Sequence, residues 1–191
     1  MSQVHTIVKG DTRSSLLLKL LQGGQPVDLA GLTVKVVGED NDSTAWITET
    51  ATGVTAHPTN AFTASASTDK LSHNATPVED GDQVVLATSG TLPAGTAAST
   101  RYFVINKEPN AFQISLTPNG SAVDITDTGT GSHTYYIVGS VAYAWQTADV
   151  DTAGTFWLWA RVFTSASVYD TFPVVRVPTD RGFMVEIVEV S

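Results

Sequence analysis

Four histidines, two runs of carboxylates and one glycine-rich turn are the places where residue type could support chemistry. His5, His57, His73 and His133 sit at no metal-ligand spacing, so each is read as a surface or loop residue. Glu79-Asp80-Gly81-Asp82 and Asp40-Asn41-Asp42 cluster hard oxygen donors of the kind Ca²⁺ takes. Neither run continues to a distal bidentate Glu, and both are read as solvated turns. Gly129-Thr130-Gly131 lacks the further glycine and the strand-to-helix setting of a phosphate cradle, so it too is a turn. There is no Gly-x-Ser-x-Gly and no His-x-x-x-His, and nothing in the spacing brings two carboxylates to one cleft. Asn74-Ala75-Thr76 and Asn119-Gly120-Ser121 match glycosylation sequons, which carry no meaning without a secretory signal. The expectation is a non-enzymatic protein with no catalytic residue, no cofactor and no metal.

The other residues of chemical interest are aromatic. Phe156, Leu158, Ala160 and Val162 alternate with Trp157, Trp159, Arg161 and Phe163, so both faces of one long strand are apolar. A strand buried on one face only would alternate with polar residues. Either this strand lies between two layers of its own fold, or one face meets a partner. Trp157, Trp159, Arg161 and Phe163 are therefore the candidate subunit interface, since Trp and Arg are frequent anchors of such contacts.

Composition narrows the classes. The net charge of −9 comes from 10 basic and 19 acidic residues over a length of 191, which argues against nucleic-acid binding. Charged residues make up 15% of the chain, below the usual quarter or so. Thr, Ser and Asn supply the remaining polarity, a profile suited to β-sheet surfaces packed against neighbours. Cysteine is absent, so stability rests on packed cores. Met1-Ser2-Gln3-Val4-His5 does not resemble a secretory leader, and Leu16-Leu17-Leu18-Lys19-Leu20-Leu21 is far too short to span a bilayer. The expected product is soluble, made in a cytoplasm, with no membrane partner.

Period-two alternation dominates the rest of the chain. Leu32, Val34 and Val36 share one face, as do Phe112, Ile114 and Leu116, and Val141, Tyr143 and Trp145. Turn residues separate these runs, and Asn119-Gly120 between Phe112–Leu116 and Val123–Ile125 reads as a hairpin. One short helical turn is expected at Thr147 to Asp151, capped by Thr147. From His57-Pro58 to about Gly139 the texture changes to Ala, Thr, Ser and Gly with shorter apolar runs. That stretch carries its own strands: Ala61–Ala64, Gln83–Ala87, Arg101–Asn106, Ala111–Leu116, Ala122–Ile125 and Thr134–Val138. The expected class is all-β: an antiparallel, Ig-like β-sandwich built from residues 1–56 and 140–191, interrupted by a small β-domain at 57–139. The alternative is one continuous sandwich with a long middle.

The flanking segments resemble the N-terminal domain of the phage baseplate upper protein (BppU-like) family. The residues that carry the likeness are Lys9-Gly10-Asp11-Thr12, Pro26-Val27-Asp28-Leu29-Ala30-Gly31, Tyr143-Ala144-Trp145-Gln146 and Asp151-Thr152-Ala153-Gly154-Thr155-Phe156. Asp170-Thr171-Phe172-Pro173 and Met184–Val190 look like that family's last two strands. Physically, Asp28 should bind loop amides, Gly31 supply backbone freedom and Trp145 fill the core, so the motif speaks of fold rather than activity. The middle segment is similar to a module of phage tail and fibre proteins. There the likeness rests on Gly81-Asp82-Gln83-Val84, Gly90-Thr91-Leu92-Pro93-Ala94-Gly95, Tyr102-Phe103-Val104-Ile105-Asn106, Asn110-Ala111-Phe112-Gln113-Ile114-Ser115 and Gly129-Thr130-Gly131-Ser132-His133.

Both resemblances imply a structural protein of a tailed bacteriophage virion, in the tail or baseplate. Its partners would be other phage structural proteins and further copies of itself. The alternatives are a capsid decoration or head–tail neck protein, and a carbohydrate-binding module for a host-surface glycan.

Overall fold

The computed structural model describes residues 4–74, 77–172 and 183–189. The chain divides into two compact units, one formed by Met1–His57 with Gly139–Ser191 and the other by Pro58–Val138. The first unit begins with β1 (Val4–Val8), β2 (Ser15–Lys19), the short pair β3 (Leu21–Gln22) and β4 (Gln25–Pro26), β5 (Thr33–Asp40), β6 (Ala45–Thr50) and β7 (Val54–Ala56). The second unit holds β8 (Thr59–Ser65), β9 (Lys70–Ser72), β10 (Gln83–Thr88), β11 (Arg101–Glu108), β12 (Ala111–Ser115) and β13 (His133–Ile137). The first unit then resumes with β14 (Ser140–Ala144), a 3₁₀ turn at Thr147–Asp149, β15 (Gly154–Ser165), β16 (Val168–Phe172) and β17 (Phe183–Val188).

The first unit is an all-β sandwich. Its larger sheet runs β1-β17-β15-β5-β6, and its smaller one β2-β14-β7. The long strand β15 is the hub. One edge pairs with β5 from Phe156 to Phe163. The other edge is shared in succession, with β17 opposite Gly154–Leu158 and β16 opposite Ala160–Ser165. Alternation along β15 sends Phe156, Leu158, Ala160 and Val162 into the core. There they meet Val34 and Val36 of β5, Val185 and Ile187 of β17, and Leu16, Leu18, Val141 and Tyr143 of the smaller sheet. Burying some twenty apolar side chains at about 1.5–3 kcal/mol each is the main force that closes this unit. All named pairs are antiparallel except β1–β17, which is parallel.

Trp145 lies in this core, edge-on to the Tyr143 ring and tilted against that of Trp46. Asp28 accepts the Ala30 amide at 3.0 Å, and Gly31 holds φ +72° in the turn before β5. The helical turn is capped differently from expectation. Gln146, not Thr147, is its N-cap, and Asp149 Oδ2 folds back to accept the Gln146 amide at 2.8 Å. The carboxylate wins because it also accepts the buried Tyr143 hydroxyl at 2.6 Å. Of the two terminal strands read from the sequence, Pro173 and Val190 lie outside the described residues.

The second unit is a closed barrel in the order β10-β11-β12-β9-β8-β13. Leu71, Val84, Val104, Phe112, Ile114, Ile125 and Tyr135 fill it. Strand β9 was not read from the sequence; three residues are too short to show a period, yet they close the ring between β8 and β12. The expected strand Ala122–Ile125 does not form, and the Asn119-Gly120 turn does not make a hairpin. Asn119 does adopt φ +53°. However, β12 gives one edge to β11 and the Ala111–Phe112 part of the other to β9, and along what remains the returning chain forms no ladder. Val123 donates a single bond to the Ile114 carbonyl at 2.8 Å, and Asp69 Oδ1 takes the Ile125 amide at 2.9 Å.

Candidate functional site

Because the odd residues of β15 point away from the core, Trp157, Trp159, Arg161 and Phe163 share the outer face of the larger sheet. Register sets their neighbours on β5: Trp157 lies opposite Glu39, Trp159 opposite Val37, Arg161 opposite Lys35 and Phe163 opposite Thr33. On the other side Trp157 faces Met184, Arg161 faces Thr171 and Phe163 faces Tyr169. Trp159 falls between β16 and β17, since among the described residues the β16 pairs begin at Ala160 and the β17 pairs end at Leu158. The two tryptophans and Arg161 are half-buried, whereas Phe163 is buried at 9% exposure.

Polar contacts fix the orientation of this face. The Trp157 indole N–H donates to Asn41 Oδ1 at 3.0 Å, pinning the ring towards the β5–β6 turn. Glu49 of β6 reaches two cations at once: Arg161 Nη1 at 2.7 Å and Lys35 Nζ at 3.0 Å. The hydrogen bond from Arg161, followed by that from Lys35, holds the Glu49 carboxyl below the usual carboxylate range. The same cations lie over aromatic rings, Lys35 Nζ 4.5 Å from the Phe163 centroid and Arg161 Cζ 4.9 Å from that of Tyr169. Phe163 and Tyr169 are themselves 5.0 Å apart. The Arg161 Nε is buried with no hydrogen-bond partner.

The face is therefore an apolar strip of Trp157, Trp159 and Val37 beside a cluster of paired charges. It supplies contact area and fixed hydrogen-bonding groups. Sequence reading found its four β15 residues, because strand alternation places them together. It missed Glu49, Lys35 and Tyr169, which come from other strands and join the face only through sheet pairing, and Asn41, which the β5–β6 turn brings over Trp157. Lys35 was legible as an outward residue of β5, but its pairing with Arg161 was not.

The other residues considered for chemistry serve the backbone. Asp40 Oδ1 accepts the Asp42 and Thr44 amides, tying the β5–β6 turn. Asp82 accepts the Glu79 amide, and Asp80 that of Lys107. Among the described residues no group of three or more His, Cys, Asp or Glu could hold a metal.

His57 and His73 lie in loops, whereas His5 and His133 stand in strands β1 and β13. His133 is the buried first residue of β13, with Nε2 donating to the Thr128 carbonyl at 3.0 Å and Nδ1 against Thr88 Oγ1 at 2.9 Å. His73 Nδ1 lies 2.8 Å from the buried Tyr135 hydroxyl. His57 Nε2 accepts the Gly139 amide at 3.2 Å. His5 packs on Trp145 within the sandwich, its Nε2 buried without a partner. Isolated imidazoles in these positions give no spacing signal, so burial was not legible. No family model, curated protein or solved structure matches the chain.

Proposed function

We propose that this chain is a non-enzymatic structural component of a tailed-bacteriophage virion, most naturally of its tail or baseplate. The sandwich unit docks on neighbouring virion proteins, and the barrel unit is left to engage another partner. The observation that carries the reading is the outer face of β15. Two half-buried tryptophans, 157 and 159, stand on it beside a charge cluster already paired within the chain. Such a face loses little on desolvation of its charges and gains from covering its rings, as interface anchors do. The sequence resemblances of the flanking segments and of the middle segment to phage tail proteins support the same conclusion.

Mass spectrometry of purified particles of the phage that encodes this chain, with antibody labelling in the electron microscope, tests the reading. Label on the tail or baseplate is the expected result. Absence of the chain from purified particles would overturn the reading, and label on the capsid or neck would replace the tail assignment by the decoration or neck alternative. The paired tryptophans also favour a second reading, recognition of a host-surface glycan by stacking. A glycan array distinguishes it: specific binding lost in Trp157→Ser and Trp159→Ser would support that reading.

A further inference from the structure

We propose that the sandwich unit associates with a second copy of this chain through the free edge of β1, the two β1 strands pairing antiparallel about a two-fold axis centred on Thr6. The inference starts from the backbone. The Lys9 amide donates to the Val188 carbonyl at 2.8 Å, continuing the parallel β1–β17 ladder. In a parallel ladder alternate residues bond to the neighbour, so His5, Ile7 and Lys9 turn their N–H and C=O groups towards β17. Val4, Thr6 and Val8 turn theirs away. Among the described residues no strand pairs with that side. Among the described residues the one bond made on that side is to the Val8 carbonyl, which accepts the Asp11 amide at 2.9 Å.

The other edges of this unit are guarded in ways that β1 is not. The β6 edge belongs to a pair broken by two register shifts. β7 is three residues long. β2 ends on Lys19, and β16 carries Asp170. β1 reads Val-His-Thr-Ile-Val, with no proline, lysine or carboxylate and no register shift. Thr6 is exposed, as is Val8 at 40%. Lys9, the residue after the strand, is paired with Glu189 at 2.9 Å.

The sequence of β1 is self-complementary in this register. Centring on Thr6 sets Thr6 opposite the partner's Thr6, and Val8 opposite the partner's Val4. In an antiparallel pair the hydrogen-bonded positions recur every second residue. They fall here on the three residues whose backbone groups point outward. Thr6 exchanges both of its backbone bonds with the partner's Thr6, and each Val8 amide reaches the carbonyl of the partner's Val4. Thr–Thr pairs and pairs of β-branched residues are favourable cross-strand neighbours. Glu186, beside Thr6 on β17, stands three strand spacings from the partner's Glu186, about 14 Å, where salt screens the repulsion. The two-fold closes the contact at two copies and makes one continuous sheet from the two larger sheets.

Native mass spectrometry and sedimentation of the full chain, with amide hydrogen exchange, test the proposal. A dimer is expected, in which the Thr6 and Val8 amides are protected like that of Ile7 and lose protection on dilution. Thr6→Lys places like charges opposite each other and should weaken the dimer about tenfold or more. Thr6→Pro, which removes an outward amide, should do the same. The chain has no native cysteine, so Thr6→Cys gives a single site, and a short bis-maleimide should link two copies through it. A wild-type monomer at high concentration would overturn the proposal. So would Thr6 and Val8 amides that exchange freely beside a protected Ile7, or a dimer that survives both substitutions at Thr6.

Discussion

Arg161 and Glu49 meet at 2.7 Å across the outer face of the larger sheet, although 112 residues separate them in sequence. Their strands, β15 and β6, are not neighbours; β5 lies between them and contributes Lys35 to the same carboxylate. Glu49 thus joins three strands on the face that carries Trp157 and Trp159. The side chains of this outer face are therefore held in place by contacts within the unit itself.

That arrangement has a pH signature. Arg161 and Lys35 lower the Glu49 pKa in the folded chain, so the folded state binds this proton less readily than the unfolded one. The contribution is present above the unfolded carboxylate value of about 4.3 and is lost as pH falls through the lower folded value. Acid denaturation curves of wild type and Glu49→Gln should therefore differ above about pH 4 and converge below it. Parallel curves across the whole range would exclude the effect.

His5 acts over a different window. Burial lowers its pKa from the ordinary 6.5, and its Nε2 has no partner to accept a proton's charge. The unfolded chain takes up that proton first, so stability from this site is full above about pH 6.5 and falls as pH drops below it. In His5→Gln the slope of stability between pH 6.5 and 5 should flatten, measured by urea denaturation at each pH.

Adjacent residues of β15 should respond in opposite ways. Leu158 is fully buried in the sandwich core, and Leu158→Ala should cost about 2–5 kcal/mol. Trp159 points to the half-buried outer face, and Trp159→Ser should cost about 1 kcal/mol while leaving the unit folded. Denaturant titration of the two variants checks the contrast. A loss for Trp159→Ser as large as that for Leu158→Ala would make it a core residue and remove it from the proposed docking surface.

The Tyr143–Asp149 contact makes a fourth stability test. The hydroxyl donates to Asp149 Oδ2 at 2.6 Å inside the core, and burial with this bond pushes the Tyr143 pKa up. Tyr143→Phe leaves the buried carboxylate one donor short, at a cost of about 1–3 kcal/mol. The near-ultraviolet circular dichroism of the folded state should otherwise be retained.

Gly95 tests the barrel. It holds φ +97°, and a β-carbon there would collide with the Asp124 carbonyl oxygen. Gly95→Ala should cost about 1–3 kcal/mol, because the new methyl meets backbone rather than a movable side chain. Faster amide exchange at Val104 and Ile114 in the barrel core would register it.

Strand periodicity made the β-class of the chain legible, and it separated the inward residues Phe156, Leu158, Ala160 and Val162 from the outward Trp157, Trp159, Arg161 and Phe163. That is local information: a strand presents alternate side chains to opposite faces whatever it pairs with. Asp28 and Gly31 were legible for the same reason, since a turn closes on its own amides. Pairing is not local. Asn119-Gly120 turns, but the chain after it meets β12 through one bond, Val123 to Ile114, and not through a ladder. β1 found β17 from the far end of the chain, in the one parallel pair, and so left an uncharged edge outward. Glu49 reached Arg161 only because β5 brought β6 alongside β15. Alternation in the sequence set which way the side chains of β15 face, but it failed at Leu116, which lies past the end of β12 and is 63% exposed. The tertiary structure decided which strands became neighbours, because that choice depends on which edges remain unpaired once the rest of the sheet has formed.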